Sequence, residues 1–123
     1  MKVPDNIYYT KDHEWVEINN KIATIGITDY AQSELGDVIF IEFPDIGFKC
    51  DTGDTIGTIE AVKTVADIYA PIKGTVIEIN ASLENEPDII NTHPYNAGWI
   101  IKIKLIDTNI SNLLSSQEYK KLI

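Results

Sequence analysis

Hydrophobic positions along this chain fall in short runs with strand-like spacing, separated by turn residues. Trp15-Val16-Glu17-Ile18 and Lys21-Ile22-Ala23-Thr24-Ile25 flank Asn19-Asn20. Asparagine tolerates positive φ, so the pattern predicts a tight hairpin turning at Asn19 and Asn20. Val38-Ile39-Phe40-Ile41-Glu42-Phe43 is apolar, β-branched and aromatic, and Pro44 closes it. Thr75-Val76-Ile77-Glu78-Ile79 places Ile77 and Ile79 on one face. In the run from Trp99 to Leu105, Trp99, Ile101, Ile103 and Leu105 share one face and Lys102 and Lys104 the other, the period of two expected of a half-buried strand. The core is therefore expected from the strands at Val38–Phe43, Thr75–Ile79 and Trp99–Leu105.

Helical signals are few. Thr28 is placed to cap a helix from Asp29 to Leu35, with Gly36 as its stop. Ser115 and Glu118 form a capping-box pattern with Leu114 and Tyr119 at the staple positions, which predicts a last helix from about Ser116 to Leu122. Glu84 to Gly98 holds Pro87 and Pro94 and reads as mostly loop, with one helical turn begun by Pro87. A glycine precedes the strands at Gly36-Asp37-Val38, Gly53-Asp54-Thr55 and Gly74-Thr75-Val76, a weak repetition that suggests a small β-sandwich with related halves.

At 123 residues the chain is expected to form one domain, residues 1–123, with enough core to need no disulfide or metal staple. The net charge of -9, with no arginine, argues against nucleic-acid binding and identifies no partner, but it favours solubility and could steer docking onto basic surfaces of other proteins; a monomer is expected. No apolar run approaches the roughly 18 residues of a membrane span. The lone Cys50 excludes an internal disulfide and reads as a small buried side chain. The N-terminus, Met1-Lys2-Val3-Pro4-Asp5, lacks the apolar stretch of a signal peptide, so a bacterial cytoplasmic location is expected, with a processed organellar form as the alternative.

Most catalytic and metal patterns are missing. His13 and His93 are far apart and unpaired as ligands. There is no phosphate-cradling glycine loop, nucleophile elbow or Cys-x-x-Cys. What stands out is Lys63, between the strand-like runs Thr55–Ile59 and Ala66–Ala70. As an active-site amine it would need burial or a cationic neighbour; instead Glu60 and Asp67 lie near it. A lysine at a hairpin tip is better suited to acylation by a separate enzyme, which converts the ammonium into a neutral amide. The ordinary alternative is a solvated surface lysine.

Five blocks then fall in order along the chain: Tyr9-Thr10-Lys11-Asp12-His13-Glu14-Trp15-Val16; Ala23 to Gln32 followed by Leu35-Gly36-Asp37; Glu60-Ala61-Val62-Lys63; Asp67-Ile68-Tyr69-Ala70-Pro71; and Pro94-Tyr95 with Gly98-Trp99-Ile100-Ile101-Lys102-Ile103. Together they resemble the glycine cleavage system H-protein family over nearly the whole chain. The family commonly has serine where this chain has Ala61, and often where it has Ala66, so each position loses a hydroxyl.

The resemblance implies a mainly β fold, the lipoyl/biotinyl-type barrel-sandwich hybrid with a few short helices, one of them C-terminal. It implies a carrier rather than an enzyme, with lipoic acid on Lys63 within the hairpin context Glu60, Ala61, Val62 and Asp67. The lipoyl group would take the aminomethyl group of glycine at a pyridoxal-phosphate decarboxylase and pass its one-carbon unit to tetrahydrofolate at an aminomethyltransferase. Dihydrolipoyl dehydrogenase would reoxidise it, and a lipoyl ligase or transferase would attach it. The resemblance also implies a cleft for the loaded arm walled by Glu14, with Asp67 beside the hairpin and Asp12 or Glu34 nearby. Rival readings are a lipoyl or biotinyl domain of an acyltransferase or carboxylase, an H-like relay of lipoyl groups to other complexes, and a β-sandwich with an incidental lysine.

Overall fold

The computed structural model of the chain describes residues 1–106 and 109–123. Among these, nine strands form two antiparallel sheets. The larger sheet runs β1 (Tyr8–Tyr9), β2 (Glu14–Asn19), β3 (Ile22–Ile27), β9 (Ile101–Leu105), β8 (Gly74–Ile79) and β5 (Lys49–Cys50) in spatial order. The smaller runs β4 (Val38–Glu42), β6 (Thr55–Ala61) and β7 (Val65–Tyr69). Ile25, Val76, Ile101 and Ile103 of the larger sheet and Ile41, Ile59 and Ile68 of the smaller belong to one buried cluster. This is the expected mainly β barrel-sandwich, although its sheets are unequal.

The β2–β3 hairpin forms, one residue later than expected. Asn20 and Lys21 take the turn, at φ 52° and 63°, and Asn19 stays in the strand, paired with Ile22. The register explains the shift. It sets Val16 against Ile25 and Ile18 against Ala23, whereas a turn at Asn19-Asn20 would set Ile18 against Lys21. Cross-strand packing decides between the two.

Two β-bulges overturn the expected facing of residues. In β4 the register slips between Val38 and Phe40, so Val38 and Ile41 are buried while Ile39 and Phe40 are both more than half exposed. In β8 it slips between Val76 and Glu78. Ile77 is therefore the extra residue and turns outward, so the expected sharing of a face by Ile77 and Ile79 fails; Val76 enters the core instead. An inserted residue breaks the alternation on which the sequence reading rested. Along β9, Ile101, Ile103 and Leu105 point inward as expected. Trp99 precedes the strand and packs in a second cluster, while its neighbour Ile100 is fully buried in the main core.

Helix α1 (Asp29–Leu35) starts and stops as its sequence indicates. The Thr28 hydroxyl oxygen accepts from the Ala31 N–H, and Gly36, at φ 79°, donates its N–H to the Gln32 carbonyl. The stretch expected to be mostly loop contains α3 (Ile89–Thr92), preceded by α2 (Ser82–Asn85) and followed by a 3-10 turn at Asn96–Gly98. Leu83 and Ile90 are buried beneath these single turns, which are too short to show helical periodicity. Helix α4 (Ser116–Lys120) has the reciprocal capping box of Ser115 and Glu118 and ends two residues earlier than expected. The glycine repetition hides different needs: Gly36 and Gly53 have positive φ, whereas Gly74 lies inside β8, where a Cβ would meet Ile103 and the Lys104 backbone. Cys50 is buried, its thiol donating to the Gly74 carbonyl at 3.4 Å.

The second cluster joins both chain ends. Tyr9, Trp15 and Tyr119 are buried together, Tyr9 and Tyr119 stack at 4.7 Å, and the Trp15 indole donates to the Pro94 carbonyl at 2.8 Å. That indole lies flat on Gly26, where a Cβ would sit 2.5 Å from Nε1. Gly26→Ala should therefore destabilise the protein by ~1–3 kcal/mol through overpacking. A lowered urea midpoint with changed tryptophan fluorescence would register it; an unchanged midpoint would mean that the indole yields freely.

Candidate functional site

The β6–β7 hairpin ends in Val62, Lys63 and Thr64. Its last ladder pair is Glu60 with Val65, and the Ala61 N–H reaches the Thr64 carbonyl at 2.9 Å. Two further bonds leave the hairpin. The Val62 N–H donates to the Asp37 carbonyl at 2.9 Å, and the Lys63 N–H to the Leu35 carbonyl at 3.3 Å. The tip is thus tied to the end of α1. The Lys63 side chain is exposed, and its stem runs alongside Gly36, where a Cβ would stand 3.4 Å from Cγ. Of the hairpin residues singled out with it, Ala61 is buried, while Glu60, Val62 and Asp67 are exposed. The Asp67 carboxylate accepts from the Thr58 hydroxyl at 3.4 Å.

A cleft of about 310 Å³ lies between α1, the start of β2 and β7. Ile27, Ala31, Leu35, Ile59 and Ala66 give it an apolar lining, and Asp12, Glu14, Glu34 and Asp67 bring four carboxylates to it. The structure therefore gathers all four acidic residues singled out from the sequence around one space. His13 and Tyr30 also line it, and the sequence reading had placed neither there. His13 stands between two of the acidic residues and Tyr30 is the second residue of α1, but nothing local marks either as facing a cavity. A larger cavity of about 470 Å³, walled by Trp15, Trp99 and Lys102, shares no lining residue with this cleft and does not include the hairpin tip.

The acidic residues differ in environment. Asp12, Glu34 and Asp67 are exposed. Glu14 is 1% exposed. Its Oε1 accepts from the Thr10 hydroxyl at 2.8 Å and its Oε2 from the Tyr69 N–H at 2.8 Å. Because Glu14 belongs to β2 and Tyr69 to β7, the carboxylate bridges the two sheets. Burial pushes its pKa up to about 7, against the opposing pull of the Tyr69 and Thr10 hydrogen bonds.

The glycine cleavage H-protein family model matches residues 7–123. The chain belongs to that family. Glycine cleavage system H proteins from Staphylococcus epidermidis and Listeria monocytogenes are 47% and 46% identical to it over 124 aligned positions, covering the whole of this chain and 98% and 99% of those proteins. The crystal structure of a glycine cleavage system H protein from Mycobacterium marinum matches it with a TM-score of 0.90 at 34% identity, over 97% of each chain. No helix among the described residues is long and apolar enough to cross a membrane.

Glu14 should leave a signature on the stability of this H-protein family member. Its folded pKa lies above the ordinary 4.5, so between about 4.5 and about 7 the folded form holds a proton that the unfolded chain has released. The stability this contributes is complete below the ordinary value and is lost as pH rises through about 7. His13 works in the opposite sense, because burial lowers its imidazole below the ordinary 6.5. Comparison with Glu14→Gln isolates the carboxylate. Relative to the wild type, this variant should gain on the order of 2 kcal/mol between pH 5 and pH 8. Urea midpoints at both pH values measure the gap, and a gap independent of pH would mean that Glu14 titrates like an exposed carboxylate.

Proposed function

We propose that this chain is the lipoyl-bearing carrier of the glycine cleavage system, non-catalytic in itself and acylated on Lys63. The observation that carries the reading is the fastening of the Lys63 backbone to the end of α1, the helix whose residues Tyr30 to Leu35 help line the acidic cleft. The donor set fits the group: Ile27, Ala31, Leu35, Ile59 and Ala66 suit a short alkyl chain, and the carboxylates suit a cationic end. When attached, the lipoyl group supplies a dithiolane that accepts the aminomethyl group of glycine and a dithiol that is reoxidised by thiol–disulfide exchange. The proposed partners are the pyridoxal-phosphate decarboxylase, the aminomethyltransferase, dihydrolipoyl dehydrogenase and the ligase or transferase that acylates Lys63.

The chain's own residues then have distinct tasks. Val62 and Lys63 hold the tip still through their backbone bonds, so a modifying enzyme meets an amine on a fixed support. The apolar walls exclude water and strengthen the contacts of charges beside them. Glu14 and Asp67 hold the cationic end. Each Glu14 oxygen already accepts one hydrogen bond and keeps a lone pair for another. With a pKa of about 7, Glu14 is partly protonated at neutral pH, and an arriving cation favours its ionised form. Occupancy of the cleft by a cation therefore releases a proton from Glu14.

Intact mass after incubation with a lipoyl ligase and activated lipoate tests the attachment. The wild type should gain one lipoyl group and Lys63→Arg none, since arginine keeps the charge without an acylatable amine. A gain on Lys63→Arg would move the site to another lysine, such as Lys49 or Lys73. Glu14→Gln should acylate normally yet lose a loaded aminomethyl group to water roughly tenfold faster, as expected for a lost hydrogen bond to a charged group. Equal decay rates, measured without partner enzymes, would exclude Glu14 from holding the cation.

A further inference from the structure

A hydrogen-bond chain runs from the C-terminal helix into the cleft. His13 Nδ1 lies 2.8 Å from the Tyr119 hydroxyl, which lies 2.7 Å from Thr28 Oγ1. Thr28 Oγ1 in turn accepts from the Ala31 N–H that opens α1. Thr28 and Tyr119 are fully buried, and His13 is half-buried in the cleft lining with φ at +66°. The Tyr119 ring is fixed by its stack on Tyr9 at 4.7 Å.

Either hydroxyl of the Thr28–Tyr119 pair could donate, but among the described residues one direction satisfies every proton. Thr28 Oγ1 accepts from the Ala31 N–H and could accept again, but its own O–H also needs an acceptor, and among the described residues that acceptor is the Tyr119 oxygen. The Thr28 hydroxyl therefore donates to Tyr119, and the Tyr119 hydroxyl donates onward to His13 Nδ1. Nδ1 must then be bare, which puts the imidazole proton on Nε2. A proton on Nδ1, whether in the other tautomer or the imidazolium, would leave either the Thr28 or the Tyr119 O–H without an acceptor among the described residues.

We propose that Tyr119 is a positioning residue of the cleft: through the Thr28–Tyr119–His13 chain it holds the His13 imidazole uncharged, with its proton on Nε2, so that no resident cation competes with the cationic end of the arm for Glu14 and Asp67. The need arises because the groups facing His13 would otherwise favour its charged form. Asp12 adjoins it and Glu34 approaches from α1, and both pull the imidazole toward protonation while burial opposes them. Glu14 follows it in β2, Asp67 faces the same space from β7, and the Tyr30 ring lies 4.9 Å away. An imidazolium there would occupy the carboxylates that the cleft offers. This inference rests on the carrier reading for its purpose, but the state of His13 does not depend on Lys63 being acylated.

Tyr119→Phe removes the hydroxyl and keeps the stacked ring. Long-range proton–nitrogen spectra of the unacylated protein should show wild-type His13 as the Nε2–H tautomer across pH 6 to 8. In Tyr119→Phe its titration midpoint should move upward, and Nδ1 should no longer be held as an acceptor. In the acylated, loaded protein the variant should lose its aminomethyl group roughly tenfold faster than wild type at pH 6, where a charged His13 competes, and the difference should close by pH 8. Adding His13→Asn, a residue that tolerates positive φ, should abolish the excess loss at pH 6. An unchanged His13 tautomer and midpoint in Tyr119→Phe would overturn the proposal, and so would excess loss that is equal at both pH values, because a merely structural defect has no reason to follow the imidazole. Failure of the carrier reading shows separately, as a Lys63 that takes no lipoyl group; the role toward the arm then falls even if the spectra behave as expected.

Discussion

The buried carboxylate of Glu14 is the constraint around which the cleft end of this molecule is arranged. It sits where the larger sheet begins β2 and the smaller one ends β7, and it accepts one hydrogen bond from each side. Burying a carboxylate is costly unless its oxygens are satisfied. Thr10 and Tyr69 meet that requirement only if the two sheets approach in this one way. The interaction that aligns the sheets is therefore also the one that places an ionisable oxygen pair in the wall of the cleft. Its pKa near 7 records an incomplete balance: the hydrogen bonds favour the charge and burial resists it.

The hairpin tip meets a different constraint. In the proposed role Lys63 must expose its amine, yet a freely moving tip would present that amine in many poses. Val62 and Lys63 resolve this by bonding through backbone N–H groups to carbonyls of Asp37 and Leu35, which leaves the side chain unconstrained. Asn91 secures the support beneath them. Its side-chain oxygen accepts from the Val38 N–H, and its amide donates to the Gly36 carbonyl and to Gln32. The segment between α1 and β4 is thus held by α3, the single helical turn expected to begin at Pro87.

What could be read from the sequence was the chemistry that is local. The capping box of Ser115 and Glu118, the Thr28 cap with its Gly36 stop and the lysine between two strand-like runs each depend on residues a few positions apart. The bulges at Ile39 and Ile77 could not be read, because an unbroken β-branched run looks the same whether or not it holds an extra residue. The position of the β2–β3 turn followed from pairing across the hairpin rather than from the turn residues. The four cleft carboxylates were named through family resemblance; periodicity alone gave no reason to join residue 14 with residue 67. The Thr28–Tyr119–His13 chain was invisible for the same reason, since it unites residues drawn together only by closure of the two chain ends through the Tyr9–Tyr119 stack.

A surface of net charge -9 could quench its own cleft if a lysine folded into it. The ion pairs among the described residues lie elsewhere: Lys73 with Asp51, Lys102 with Glu78 and Lys120 with Asp5, all between at least partly exposed side chains and so of small energetic weight. The chain has no arginine to make a bidentate clamp on a carboxylate. Among the described residues that line the cleft, the one group able to become a cation is His13, and its Nδ1 faces a tyrosine hydroxyl rather than an acid. Carboxylates left without a resident cation retain an unspent attraction. In a cleft with apolar walls that attraction is less screened than at an open surface, which suits the alkyl arm with a cationic end that the proposed carrier role would bring to it.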